Sequence, residues 1–415
     1  MTLGQLFPTF HKVLHARLEP GHWPVGTRVT ADGDLVVGGV PLTRVAARYG
    51  TPVGVLDDAE VRRRCAAYRT ALPWADTACT AAALPVPAVL RRFAAAGWWV
   101  TVGSAAELAA ARSAAFPAAR TVAHGVLPGF AGTTVVGAPG EVGDPARLRG
   151  APGTRRPVLI RVALRPGDPG VRVDAVPGTV RRLAAEPGLR AVGLSYGPGS
   201  PDRRVSAYES AARRLLALVA AVRDQHGITL GRLHVDGGGA EYRGGAGPSP
   251  LTGSGVGPGA GPPGGEDTDG PDPLGLADRL RVALAYECRT RALAAPRLTV
   301  EPGPVLTGPA AVTLLRVLRA DAGTIVVDGP PAAGPVVRLV GRVPAARRRT
   351  FAVTGSGTGS CTAPQPLTLT LPEDVRPGDL LAVPGAGAYA PTLPALVAVA
   401  AGSARLLRER PPALT

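Results

Sequence analysis

The chain has 415 residues, 45% of them hydrophobic, but only 4% aromatic, with 55 Gly and 44 Pro. That length and apolar share provide for a large core in two domains and exclude a wholly disordered chain. The formal charge of +15 comes from arginines scattered along the chain, with Lys12 the only lysine; no basic stripe interleaved with aromatics is present, which argues against a nucleic-acid partner.

Cys65, Cys79, Cys288 and Cys361 lie too far apart for a zinc spacing or a disulfide framework and read as reduced, buried thiols of a cytoplasmic protein. No apolar run reaches the roughly 18 residues that cross a membrane. Residues 1–20 carry His11, Lys12 and Arg17 without an apolar signal core.

In chain order, Asp32-Gly33-Asp34 reads as a turn between β-prone runs, residues 36–40 as strand, and 41–49 as helix. A strand ending at Asp57 and a helix over 59–72 follow. Strand and helix then alternate: both over 77–96, both over 98–111, strands over 122–125, 133–136 and 157–162, a helix over 179–186, and a strand over 190–194. Only seven residues separate Gly125 from Thr133, too few for the crossover of about a dozen that parallel strands need, so one helix is expected to be lost. A helix over 208–225 leads into Leu233-His234-Val235-Asp236-Gly237-Gly238-Gly239, a strand whose glycines let several N–H groups converge on a phosphate. Residues 243–272, rich in Gly, Pro, Ser and Thr, read as a disordered insertion. A helix over 274–294 and a strand over 298–303 close this part. Strands over 312–318, 324–327, 336–343, 351–354, 367–371 and 380–383 then read as an antiparallel β-domain completed by N-terminal strands.

Several of these segments resemble one family. Gly38-Gly39-Val40-Pro41-Leu42-Thr43, Tyr49-Gly50-Thr51-Pro52-Val53, the triple glycine, Glu301-Pro302-Gly303 and Arg376-Pro377-Gly378-Asp379 are similar to segments of diaminopimelate decarboxylases, the alanine-racemase-like, fold-type III pyridoxal-phosphate decarboxylases. The resemblance implies an α/β barrel of the TIM type plus an antiparallel β-domain, with an N-terminal segment over 1–48, the barrel over 49–305 and the β-domain over 306–415. It also implies meso-diaminopimelate decarboxylation to L-lysine, and dimers that share active sites. The cofactor would rest on Ser200, Gly237, Gly238, Gly239, Glu301, Gly303 and Tyr389, and Cys361 would be a retained catalytic cysteine.

The departures fall on chemistry. In the family's A-Y-A-x-K-A-F, the lysine forms the Schiff base with pyridoxal phosphate; the matching segment here runs Ala78-Cys79-Thr80-Ala81-Ala82-Ala83-Leu84, which leaves Ala82 in the lysine's place. Thr101 stands for the family aspartate, Gly197 for the histidine that stacks on the cofactor ring, Pro304 for a phosphate-holding arginine, and Thr362 for a substrate-contacting glutamate. Ser104 and Glu107 are kept, Tyr196 neighbours the stacking position on the opposite face of its strand, and His124 reads as structural. The expectation is a degenerate paralogue with pyridoxal phosphate bound weakly and without a covalent link, acting through a small ligand or as half of a homodimer or heterodimer. The alternative is an active decarboxylase.

Overall fold

A computed structural model describes residues 17–19, 21–150, 153–197, 204–236, 272–330, 336–356, 366–385, 387–388 and 395–409. They divide into two compact units, one holding the described residues up to Arg63 and from Thr307 onward, the other those from Arg64 to Leu306.

The first unit begins with strands β1 (Arg28–Val29), β2 (Leu35–Val37) and β3 (Val40–Pro41), which form a small antiparallel sheet. The expected continuous strand over 36–40 is instead broken by a turn at Gly38 and Gly39, both at positive φ. Strand β4 (Val53–Asp57) follows and is buried on both faces.

The second unit is a barrel of eight parallel strands: β5 (Asp76–Thr80), β6 (Trp99–Val102), β7 (Thr121–His124), β8 (Thr133–Val136), β9 (Arg156–Ala163), β11 (Leu189–Tyr196), β12 (Arg232–Asp236) and β13 (Arg297–Glu301). The pairing of β8 with β9 closes it, and a short β10 (Val171–Arg172) lies beside β9. Between β7 and β8 the chain forms no helix, as the short connection requires.

Local sequence accounts for the helices around the barrel. Pro87 opens Pro87–Ala95, which buries Val89, Leu90 and Phe93 on one side. Ser104 caps Ala105–Ser113 reciprocally: its Oγ accepts from the Glu107 amide at 3.2 Å and donates to Glu107 Oε1 at 2.9 Å, while Glu107 Oε2 accepts from the Gly103 amide at 2.7 Å. The family-like Ser104 and Glu107 therefore serve as a helix cap. Helices Val205–His226 and Pro273–Thr290 are joined by Arg213, which pairs with Glu209 on its own helix and Glu287 on the other, both at 3.0 Å. Asp272, expected at the end of the insertion, caps the second of these helices by accepting from the Gly275 amide.

The remaining strands of the first unit are β14 (Ala311–Ala320), β15 (Thr324–Val327), β16 (Arg338–Val340), β17 (Arg348–Gly355), β18 (Leu367–Pro372), β19 (Leu380–Pro384), β20 (Ala395–Ala400) and β21 (Ser403–Arg408). Their sheet is mostly antiparallel, but β15 with β17 and β4 with β20 run parallel. The N-terminal strand that completes it is β4, which lies between β14 and β20; although it falls within the 49–305 span expected for the barrel, β4 is hydrogen-bonded into this sheet. The hairpin β20–β21 is a further addition to the expected strands. Arg376-Pro377-Gly378-Asp379 works as a turn here: Asp379 accepts from the Arg376 amide at 3.0 Å and pairs with Arg342 at 2.7 Å.

Candidate functional site

Alternate residues of a barrel strand point inward, so the C-terminal ends of the eight strands present one ring of side chains. Four of the polar ones are nearly inaccessible: Arg161 on β9, Ser195 on β11, His234 on β12 and Glu301 on β13 are each 3% exposed or less. Asp236, at the end of β12, is buried as well.

Arg161, His124, His234 and Glu301 are successive neighbours across the barrel. Arg161 donates through Nη2 to the Gly197 carbonyl at 2.9 Å, and its Nη1 lies 3.5 Å from His124 Nδ1. A guanidinium has only donors, so Nδ1 can meet it only as an acceptor, with the imidazole neutral. His124 keeps some accessible surface yet is densely surrounded by protein. Burial first, then Arg161 and His234, hold its pKa well below the usual value. Its ring centroid is 6.3 Å from that of His234, whose Nε2 lies 3.4 Å from Glu301 Oε2. Among the described residues, neither ring nitrogen of His234 finds a hydrogen-bond partner, and neither do Glu301 Oε2 or Ser195 Oγ. Such buried, unsatisfied groups are costly in an apolar interior and are the usual contact points for a polar ligand or a water.

Gly197 is the position that the family resemblance assigns to a stacking histidine. Gly197 is backed by Asp236: a Cβ built there would lie 2.0 Å from Asp236 Oδ2 and 2.2 Å from Oδ1. A carboxylate thus fills the space of the missing side chain. The neighbouring Tyr196 offers no substitute, because its hydroxyl donates to Asp168 at 3.2 Å and burial, with Asp168 next, pushes its pKa up to about 12.

Ala82 lies just beyond β5 in a turn, with the Ala81 amide bonded to the Thr101 carbonyl and the Ala83 amide to the Thr80 carbonyl. The nearby thiol of Cys79 is no nucleophile: burial, reinforced by Glu301, raises its pKa well above the ordinary value. Thr101, in the aspartate position, is buried, with its hydroxyl 3.5 Å from the Cys79 carbonyl. Gly303 and Pro304 are buried in a short 3-10 turn after Glu301. Among the expected residues, Ser200, Gly237, Gly238, Gly239, Cys361, Thr362 and Tyr389 lie outside the described residues, as does the insertion up to residue 271.

Arg161 carries no motif. Its one sequence signal is a charged residue inside the apolar run Pro157-Val158-Leu159-Ile160-Arg161-Val162, which a buried parallel strand admits only with a partner. Taken together, the ring holds a fixed cation, two imidazoles and two carboxylates. It can orient and hydrogen-bond a small polar molecule, and the described residues supply no amine for covalent catalysis.

No protein-family profile matches the chain. It is 36% identical to a diaminopimelate decarboxylase of Actinosynnema pretiosum subsp. auranticum, over 99% of this chain and 98% of that one. It is 30% identical to the diaminopimelate decarboxylase of Mycobacterium tuberculosis, over 96% and 97%. Among solved structures, diaminopimelate decarboxylase from M. jannaschii in complex with L-lysine matches with a TM-score of 0.74 at 18% identity, covering 93% of this chain and 95% of that chain. The Helicobacter pylori diaminopimelate decarboxylase complexed with L-lysine matches with a TM-score of 0.66 at 16% identity, covering 89% and 96%. At these identities the structural matches speak to the fold.

Proposed function

The chain belongs to the diaminopimelate decarboxylase family, and we propose that it is a catalytically degenerate member, keeping the barrel and a small-ligand site without the covalent chemistry. Pyridoxal phosphate supplies the electron sink for decarboxylation when the protein holds its aldehyde, ring and phosphate in register. The observation that carries the proposal is paired: a methyl group at Ala82 where an amine is required, and the Asp236 carboxylate seated against Gly197 where a ring platform is required. A carboxylate cannot stack on a pyridine ring, and it would repel a cofactor that already carries a phosphate. These residues do not fit a covalently held, ring-stacked cofactor, and any pyridoxal phosphate would be held weakly and without a covalent link.

A second reading, an active decarboxylase acting on meso-diaminopimelate or a related amino acid, draws on Glu301, which is retained and buried at the end of β13. A role as partner subunit, in a homodimer or beside an active homologue, is compatible with the degenerate reading. Reduction with borohydride in the presence of excess pyridoxal phosphate separates the two enzymatic readings. The degenerate chain yields no specific pyridoxyl-peptide beyond what surface amines give; a single stoichiometric labelled peptide would support the active one.

A further inference from the structure

At the end of the barrel opposite Glu301, the starts of several strands surround a cavity of about 640 Å³, lined among others by Thr133, Pro157, Arg190, Val192, Gly231 and Arg232. An apolar layer of Ala78, Trp99, Val122, Val135 and Leu159 fills the barrel above it and separates it from the polar chain at the other end.

The charge in this cavity is unbalanced. The Arg232 guanidinium lies over the Trp99 ring, 5.1 Å from its centroid, and the Arg297 guanidinium is 6.0 Å from the same centroid. Arg297 is tied to Asp76 by two bonds of 2.5 and 2.6 Å. The charged groups acting on Arg232 are Arg297, Asp76 and Arg190, so three guanidinium groups face one carboxylate that is already engaged. Arg232 is half-buried, and a half-buried cation whose one nearby carboxylate among the described residues is already engaged by another arginine is costly. Its place over the Trp99 ring is a cation–π contact, which holds the guanidinium at the cavity wall without using its N–H donors.

Guanidinium forks match the paired oxygens of phosphate and carboxylate groups, and a cavity of this size falls within the range for small ligands. We propose that the N-terminal end of the barrel is a second binding site, independent of the candidate site, for a small organic anion carrying at least two negative charges, held by Arg190 and Arg232.

The test is calorimetric titration of the full chain with pyrophosphate and, separately, with citrate. The expected result is saturable binding of at least one of them that weakens as salt is raised; the tighter of the two identifies phosphate or carboxylate as the recognised group. Arg190→Ser, at an exposed position, should weaken that binding about tenfold or more, and Arg232→Gln should do the same, since each removes a charged hydrogen-bonding group. An unchanged melting temperature of Arg190→Ser guards against a folding defect. Absence of saturable binding with both anions, or binding that neither substitution alters, would overturn the proposal; the second result would place the anion elsewhere on the chain.

Discussion

The Asp236 carboxylate takes the place of a side chain at Gly197, with its oxygens 2.0 and 2.2 Å from where a Cβ would stand. The two positions are therefore one structural unit, and restoring the family histidine at 197 requires Asp236 to leave. Gly197→His alone should destabilise the protein by ~1–3 kcal/mol through overpacking. In combination with Asp236→Gly the cost should be clearly less than the sum of the two single costs, as expected for residues in contact. Urea denaturation of the two single variants and the double variant checks this; strict additivity would mean that the two positions do not compete for space.

Ala82→Lys alone should not restore decarboxylation of meso-diaminopimelate. A new amine would still find the Asp236 carboxylate against Gly197, in a chain that carries Pro304 and Thr362 where the family resemblance expects an arginine and a glutamate. Each missing positioning or electrostatic contact typically costs on the order of ten- to a thousandfold in rate. The check is carbon dioxide release by the variant with cofactor in excess; clear turnover would make Ala82 the only lesion.

Much of this was legible in the sequence, and the rest shows where sequence stops. Ala82 stood out in the sequence because the family resemblance asks for an amine there, a chemical requirement that a methyl group cannot meet. The lost helix between β7 and β8 followed from chain length alone. The filling of the Gly197 position was not readable, because it depends on β11 lying beside β12 in the register that pairs Tyr196 with Val235. Arg161 meets His124 across 37 positions of sequence, a distance over which no local pattern carries information. Strand β4 is apolar on both faces, so its sequence fits a central strand of either unit. The hairpin β20–β21 was hidden by the alanines of Ala395–Ala400, which have low β propensity.

Acid should weaken the fold through His124. Its pKa in the folded chain is held well below that of the unfolded chain, so the unfolded state binds the proton first. The stability contributed by the neutral ring is complete above the unfolded value of about 6.5 and is lost as pH falls below it. Below about pH 6.5, and for as long as the ring stays neutral in the fold, the loss should approach ~1.4 kcal/mol per pH unit for this one group. In His124→Asn that part of the acid limb should be absent, as measured by urea midpoints across the range; an equal slope in variant and wild type would show that His124 does not titrate on unfolding.

Ser104→Ala should cost ~1 kcal/mol, the usual value of a helix N-cap, because it leaves the Glu107 amide without its side-chain acceptor. Thermal unfolding checks it. Since Ser104 serves the helix, ligand affinity at the strand ends should stay within about twofold of wild type; a larger change would assign it a binding role.

Carbon dioxide release from meso-diaminopimelate by the purified wild-type chain, with pyridoxal phosphate in excess and an active family member assayed alongside, bears most directly on whether Ala82 and the Gly197–Asp236 pair have ended the family's chemistry. The expected result is no release above the rate of free cofactor. Sustained, stoichiometric formation of carbon dioxide and L-lysine would contradict the degenerate reading outright.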